Sequence, residues 1–390
     1  MSYEALNITL KAGAAAGGPL EEAPSPLRDQ KIFMGSPDTP LLAPRGVFLA
    51  NNTLWVADTA QNRIFAWHHA DELPTYALPD LVLGQEEATA TGRNAGKGVS
   101  ADSLQYPSAI WSDGQRLIVA DAWNHRVLIW HSLPQRNGQP ADVVLGQPDF
   151  FQNEPNAKGV GAAPDARTLY WPYGVFSDGQ HLWVADTGNR RTLYFDQIPT
   201  CSFSPADAVI GKTSFEERDY DHEDAVWPYS VKVSPQGVLA ITDTQFCRVL
   251  IWKDWRTALS QKADGILGQP DIHSNGINQY GLLPDAHTLN WCYDTAFFKN
   301  GILIADTGNS RVLGFGEIPG QNAAAAQSLF GKPHFRMGGE QADHAPASEK
   351  SLYWPFSVNV DQNRLAIADT GNHRIILATL DLLRGGSSRG

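Results

Sequence analysis

One phrase recurs six times along this chain and restricts it to an array of like units. The copies are Val-Ala-Asp-Thr-Ala-Gln-Asn-Arg ending at Arg63, Val-Ala-Asp-Ala-Trp-Asn-His-Arg ending at Arg126 and Val-Ala-Asp-Thr-Gly-Asn-Arg-Arg ending at Arg191. Ile-Thr-Asp-Thr-Gln-Phe-Cys-Arg ends at Arg248, Ile-Ala-Asp-Thr-Gly-Asn-Ser-Arg at Arg311 and Ile-Ala-Asp-Thr-Gly-Asn-His-Arg at Arg374. The aspartates Asp58, Asp121, Asp186, Asp243, Asp306 and Asp369 stand 63, 65, 57, 63 and 63 residues apart by subtraction, and each arginine follows its aspartate by five. A period this regular marks a repeat protein whose units bury their cores against one another.

The third copy shows what one unit is. Residues 173–177 follow a Trp-Pro and read as a first strand, and 181–185 alternate as a second. Thr187-Gly188-Asn189 has hairpin-turn chemistry, 191–195 form a third strand and 208–210 a fourth. Helical periodicity is absent over any useful length. Six such units predict an all-β fold, a six-bladed β-propeller with four-stranded antiparallel blades. The ends say how the ring closes. Residues 31–38, Lys-Ile-Phe-Met-Gly-Ser-Pro-Asp, match the fourth-strand phrase Val-Val-Leu-Gly-Gln-Pro-Asp of 143–149, yet precede any first strand. The last repeat stops after its third strand, 374–380. The N-terminal strand is therefore expected to complete the last blade and remove two open sheet edges. This places the propeller at 30–383, with 1–29 as a linker, arm or strap and 384–390 as a disordered tail.

The Ala-Asp-Thr-Gly-Asn-His-Arg phrase resembles the NHL repeat, and Val-Leu-Gly-Gln-Pro-Asp-Phe is similar to phrases of bacterial NHL-repeat proteins. The resemblance covers roughly residues 30–383 and implies the propeller fold. It does not imply one function, since the family includes lyases, RNA binders and protein-interaction scaffolds. Peptidyl-hydroxyglycine lyases have a similar propeller and hold zinc with first-strand histidines. No corresponding position here is histidine, so a zinc lyase of that type is not expected. Strictosidine-synthase-like propellers are also six-bladed, but no motif here carries that activity over. RNA-binding members use a basic surface, whereas this chain has 42 acidic against 30 basic residues and a net charge of −12, so no nucleic-acid partner is expected. No run of 18 or more apolar residues predicts a membrane span. The first residues lack a signal-peptide pattern, and three cysteines make no disulfide framework. These point to a cytoplasmic protein; the cofactor is unknown, and the oligomeric state is open, with a monomer favoured over an oligomer.

The six Asp–Arg pairs read as structural, the aspartate accepting the amides of its hairpin turn and the arginine meeting a carboxylate or carbonyl. The Gly-Gln-Pro-Asp phrases read as turn punctuation, lacking the carboxylates of a calcium loop and the lysine of a P-loop. A binding site is better sought where the repeats differ. Each first strand is led in by a proline, Pro44, Pro107, Pro172, Pro228 and Pro355, with Cys292 replacing the fifth. After these come Arg45, Ser108, Tyr173, Tyr229, Tyr293 and Phe356; before them come Ala43, Tyr106, Trp171, Trp227, Trp291 and Trp354. The tryptophans either wedge blade against blade or ring a binding mouth with the tyrosines, Arg45 and Asp294. In the second case Arg45 holds a carboxylate, Asp294 orients a polar ligand, and Arg45→Ala with Tyr173→Ala weakens binding at nearly unchanged stability. The function expected is a rigid scaffold recognising a protein, peptide or small molecule at this mouth. The alternative is a lyase- or hydrolase-type enzyme there, with Tyr173, Tyr229 or Tyr293 as acid–base groups. Cys247 and Cys292 lie on the same predicted face as His125, His222, His287, His344 and His373. They are two semi-buried thiols or, as a weaker alternative, part of a thiolate–imidazole metal site.

Overall fold

The computed structural model describes residues 22–217, 226–339 and 347–381. Six four-stranded antiparallel sheets stand around an axis, each first strand lying beside those of the neighbouring blades. Blade 3 is typical: Pro172–Ser177, Leu182–Asp186, Arg191–Phe195 and Ala208–Ile210 run from the channel to the rim. In blade 3 the second and third strands are buried along their whole length because neighbouring sheets cover both faces, so they read as apolar runs rather than alternating ones. Helical turns among the described residues are short and of 3-10 type.

Ring closure follows the expectation. Leu27–Phe33 pairs antiparallel with the last strand, Arg374–Leu380, as the fourth strand of blade 6. It begins inside the stretch assigned to the arm. The residues before it act as a strap: Ala23 N–H donates to Pro333 O at 2.8 Å, and Leu329 N–H to Pro24 O at 3.0 Å, tying blade 6 to the outer edge of blade 5. Most of the predicted arm, residues 1–21, and the tail 384–390 lie outside the described residues.

All six Asp–Arg pairs are buried ion pairs with Nε–Oδ2 distances of 2.6 to 2.8 Å. One expectation needs correcting. No aspartate caps its own hairpin turn. Its Oδ1 instead accepts an amide sixteen residues earlier, in the loop leading into its own blade, as with Tyr170 N–H to Asp186 at 2.8 Å. The arginine reaches outward to loop carbonyls: Arg126 donates to Phe150, Ser100 and Ser103, at 2.9 Å each. The pair thus fastens the loops on either side of its blade to the hairpin. The Gly-Gln-Pro phrases serve the same loops, since Gln147 Nε2 donates to His125 O and Glu154 O.

Two clasps join neighbouring blades. The hairpin threonine donates to the carbonyl of the next lead-in residue, Thr187 to Pro228 at 2.6 Å, Thr307 to Pro355 at 2.6 Å and Thr370 to Pro44 at 2.5 Å. In every blade but the third, the last residue of the hairpin, held at positive φ, offers a side-chain acceptor to the amide before the next lead-in residue; in blade 3 that residue is Arg190, which has no acceptor. Tyr106 N–H meets Asn62 Oδ1 at 3.1 Å, Trp354 N–H meets Ser310 Oγ at 3.3 Å, and Ala43 N–H meets His373 Nδ1 at 3.0 Å.

Two outcomes check this account. Asp306→Ala leaves Arg311 as an uncompensated buried charge and should cost about 3–5 kcal/mol in urea unfolding, against about 1 kcal/mol for Thr307→Val. A chain starting at residue 34 should lose amide protection first in blade 6, whose third strand then has an open edge.

Candidate functional site

In an antiparallel blade the lead-in loops, the second-to-third-strand hairpins and the fourth-to-first-strand loops share one side. That side carries nearly all the exposed large apolar side chains. Among the described residues only Tyr76, Leu78 and Leu259 of that class lie in third-to-fourth-strand loops on the opposite side. Leu42, Trp123, Phe151, Val160, Tyr280, Leu282, Leu283, Trp291, Met337 and Trp354 are all on the lead-in side.

At the axis the first-strand side chains meet in a closed ring. Tyr173 packs on Tyr229 at 4.9 Å between centroids, Tyr229 on Tyr293 at 5.0 Å and Tyr293 on Phe356 at 4.3 Å. The Arg45 guanidinium lies 4.1 Å from the Phe356 ring centre and 5.2 Å from that of Tyr106. Tyr106 meets Tyr173 at 6.4 Å and completes the circle. Tilted and edge-to-face contacts of this kind add favourable ring electrostatics to area burial. Tyr106 was not among the expected ring members. Ser108 is too small to reach the axis and instead donates its hydroxyl to Tyr173 O at 2.8 Å, so the tyrosine before the proline leans in. A serine at the inward position beside a tyrosine was the available signal. Gly174 lets the strands approach, since a Cβ there would fall 2.6 Å from Tyr229 O.

Below the ring the axis is polar and full. Asp294 accepts from Ser230 Oγ at 2.6 Å, Ser357 Oγ at 2.7 Å, Thr295 N–H at 2.9 Å and Val358 N–H at 3.1 Å. Lys232 Nζ stands 3.4 Å away. This cluster stitches blades 4, 5 and 6 together at the axis. Asp294 is therefore spent on the protein itself and is not free to orient a ligand. The space left among these groups is about 30 Å³, room for a water molecule or two. The channel is plugged, and the site is the surface of the plug.

The tryptophans are not equivalent. Trp291 and Trp354 are 50% and 39% exposed and stand up from the ring. Trp171 meets Tyr173 edge-on at 5.6 Å. Trp227 differs because the turn at 234–238 is one residue longer than that at 178–181, which moves its amide into the place that Tyr170 holds in blade 3. It bonds Asp243 directly at 2.7 Å, and Arg190 covers its ring at 4.5 Å. Tyr173 touches Tyr106, Trp171 and Tyr229. Truncating it should cost about 3 kcal/mol, so the double variant with Arg45→Ala does not leave stability unchanged.

Burial pushes the Tyr173, Tyr229 and Tyr293 phenols above their ordinary pKa, away from the range acid–base chemistry at neutral pH requires. Arg45 has no carboxylate partner among the described residues.

The cysteines belong to the blade clasps. Cys247 Sγ accepts Trp291 N–H at 3.5 Å, and Cys292 Sγ donates to Arg248 O at 3.4 Å. Burial pushes the Cys247 thiol up to about 11 and that of Cys292 well above its usual value, so both rest as neutral thiols. No three His, Cys, Asp or Glu side chains group as metal ligands among the described residues. His287 turns to Ala323 O of a third-to-fourth-strand loop, while His125 and His373 serve the clasps. His222 and His344 lie outside the described residues.

No family model matches the chain, and no curated protein matches its sequence. Its fold is similar to that of an auxiliary nutrient binding protein from Bacteroides thetaiotaomicron, at 11% identity and a TM-score of 0.51, over 90% of this chain and 76% of that one. A looser likeness, at 11% identity and a TM-score of 0.44, links 90% of this chain to 99% of virginiamycin B lyase from Staphylococcus aureus. The first speaks to the fold alone; the second is too loose to bear on anything.

His125 supplies a pH test. Its Nδ1 accepts Trp171 N–H at 3.1 Å, and burial pushes its pKa down to about 4. An unfolded histidine titrates near 6.5, so between about 6.5 and 4 the unfolded chain binds the extra proton. The contribution of His125 to stability should fall as pH drops through that window. Its sign is opposite to that of the buried carboxyls Asp58 and Asp243, whose pKa values burial raises to about 6. His125→Asn, which keeps an acceptor as Asn62 does in blade 1, should remove the His125 contribution from the thermal-stability profile.

Proposed function

We propose that this chain is a recognition scaffold that takes a partner protein or peptide on its lead-in face, over the plugged axis. The concentration of exposed aromatic and aliphatic side chains on that face carries the reading. Patches of this kind on an otherwise polar surface are what partner proteins cover. Trp, Tyr and Arg are the side chains that most often anchor such contacts. At the centre Arg45 is held rigid by two ring faces and lacks an acidic neighbour among the described residues, so a carboxylate of the partner is its natural complement. A chain of net charge −12 gains specificity from one fixed cation there, because most of its own surface repels the same group.

We read the repeat as of NHL type on the six copies of the Asp-Thr-Gly-Asn-like phrase, and the compartment as cytoplasmic. Three free cysteines, two of them buried thiols, suit a reducing environment. No helix among the described residues is long and apolar enough to cross a membrane. An acid–base enzyme at the same place finds no support in the phenols, which burial holds neutral.

The test is capture of the partner from the cells that make this protein, by wild type and by Trp291→Ser/Trp354→Ser. Both indoles are at least a third exposed, so the double variant should unfold within about 1 kcal/mol of wild type. It should lose the protein that wild type retains, and Arg45→Ala should release that protein at lower salt. Identical capture by all three chains would remove the reading.

A further inference from the structure

Among the described residues, the outer strand of blade 3, Ala208–Ile210, is the one that no hydrogen bond ties to a neighbour. In an antiparallel sheet alternate residues of an edge strand turn their N–H and C=O away from the sheet. In blade 1 that residue is Val82. Its N–H donates to Asn137 Oδ1 at 3.1 Å, and its carbonyl accepts from Gly138 N–H at 3.0 Å. Both groups come from the third-to-fourth-strand loop of blade 2. The loop of blade 3 does the same for Val144 of blade 2, through Ser202 Oγ and Phe203 N–H. The loop of blade 5 does so for Ile266 of blade 4, through Asn322 Oδ1 and Ala323 N–H. Blade 6 has no such loop, because its third and fourth strands come from opposite ends of the chain. The strap stands in for it on blade 5, where Leu329 N–H meets Pro24 O. Blade 1 in turn reaches blade 6 at Met34 and Gly35, through Thr75 O and Ala77 N–H. Val209 holds the corresponding place in blade 3, opposite Leu193, and among the described residues nothing bonds its outward N–H or C=O.

The loop that should serve it is committed elsewhere. Residues 253–264 of blade 4 wind into a 3-10 helix, Trp255–Leu259, started by Asp254 accepting Arg256 N–H. Trp255 is drawn onto the face of blade 3, 5.3 Å from Trp183 and 5.1 Å from Tyr194 between ring centres. The strand edge stays open. Ala208 and Val209 are half-buried, while the fourth strands of blades 1, 2, 4 and 5 are buried throughout. Beside the edge lies an open groove of about 400 Å³. Val209, Ile210, Trp252, Leu259 and Ile272 give it an apolar wall, and Lys212, Lys262 and Glu217 carry its charge. An open row of peptide groups calls for an extended backbone, and the apolar wall calls for every second side chain to be apolar.

The chain carries such a segment ahead of its strap. Residues 6–11, Leu-Asn-Ile-Thr-Leu-Lys, alternate apolar and polar without a break. An Ala/Gly-rich stretch, 12–18, stands between them and the strap. Ala23 packs against the core that blades 4 and 5 share, so the rim of blade 4 is what separates it from the groove. From Leu10 to Ala23 the chain advances thirteen residues, 23 less 10. That is a reach of about 45 Å when extended, against a blade rim of roughly 20 Å at two sheet spacings. So short a tether presents the segment to its own ring at an effective concentration in the millimolar range, which favours it over a second copy. We propose that residues 6–11 add to blade 3 of their own chain as a fifth, outermost strand, bonded to Val209, with Leu6, Ile8 and Leu10 against the groove. Pro24 already closes the edge of blade 5 in this way. The site is on the rim, so its fate does not decide that of the lead-in face.

The test is amide exchange at Val209, read by mass spectrometry on overlapping peptides from three chains. These are wild type, Ile8→Asp/Leu10→Asp, and a chain lacking residues 1–11. Both changes lie ahead of the strap, so the second and third strands should stay equally protected in all three. Exchange at Val209 should be at least tenfold faster in the two altered chains than in wild type. A synthetic peptide of residues 3–11, added to the truncated chain at millimolar concentration, should restore the protection, and the same peptide with Ile8→Asp/Leu10→Asp should not. Equal exchange at Val209 in the three chains would overturn the proposal, as would equal rescue by both peptides. Wild-type protection that disappears on dilution would put the segment on a second copy, and would overturn the assignment to its own chain.

Discussion

The structure depends on a buried carboxylate facing a buried guanidinium, repeated six times. Taking both charges out of water is costly, and burial pushes every one of these six carboxyls above its ordinary pKa. The arginine and a backbone amide pull the other way at every copy, and a turn asparagine joins them at Asp121, Asp186, Asp306 and Asp369. Such a pair is a weak source of net stability but a strict source of geometry. Each fixes a loop before its blade, a hairpin within it and a loop after it. With those loops held, the hairpin threonine and the acceptor behind it reach the next blade, and the ring acquires a rigid rim. The surface chemistry is mounted on that rim.

Rigidity of this kind separates two jobs along one strand. The second and third strands carry near-identical buried residues in every blade and specify the fold. The first-strand residue next to the lead-in proline varies from Arg45 to Ser108 to three tyrosines and Phe356, and it specifies the axis. The chain uses that freedom to fill the channel rather than to line it. Aromatic contacts from 4.3 to 6.4 Å, closed by Arg45, form a lid, and the Asp294 cluster forms the floor. At its axis a propeller so closed presents a surface rather than a pocket.

Much of this was legible in the residues. The period, the strand phrases and the orphan fourth strand at 31–38 disclosed blade number and closure, because each is a local pattern with one geometric solution. The ring members Arg45, Tyr173, Tyr229, Tyr293 and Phe356 could be placed by counting from the prolines. What counting could not supply was depth. Asp294 looked available until four hydrogen bonds appeared around it, three from other blades and one from the next residue's backbone. Tyr106 and Lys232 were hidden because their reach depends on a small neighbour, Ser108, and a buried anion. Trp227 slid out of register through a single extra turn residue. Long-range partners, such as the amide sixteen residues before each aspartate, have no local signature.

The central claim is that the lead-in face, and not the channel or the opposite face, is where this protein meets its partner. Hydrogen–deuterium exchange of the complex against the free chain tests it most directly. The account predicts slowed exchange in the lead-in loops around Ala43, Tyr106, Trp171, Trp291 and Trp354 and in the hairpins beside them, with the third-to-fourth-strand loops unchanged. Protection confined to those opposite loops, around Tyr76 or Leu259, would contradict it.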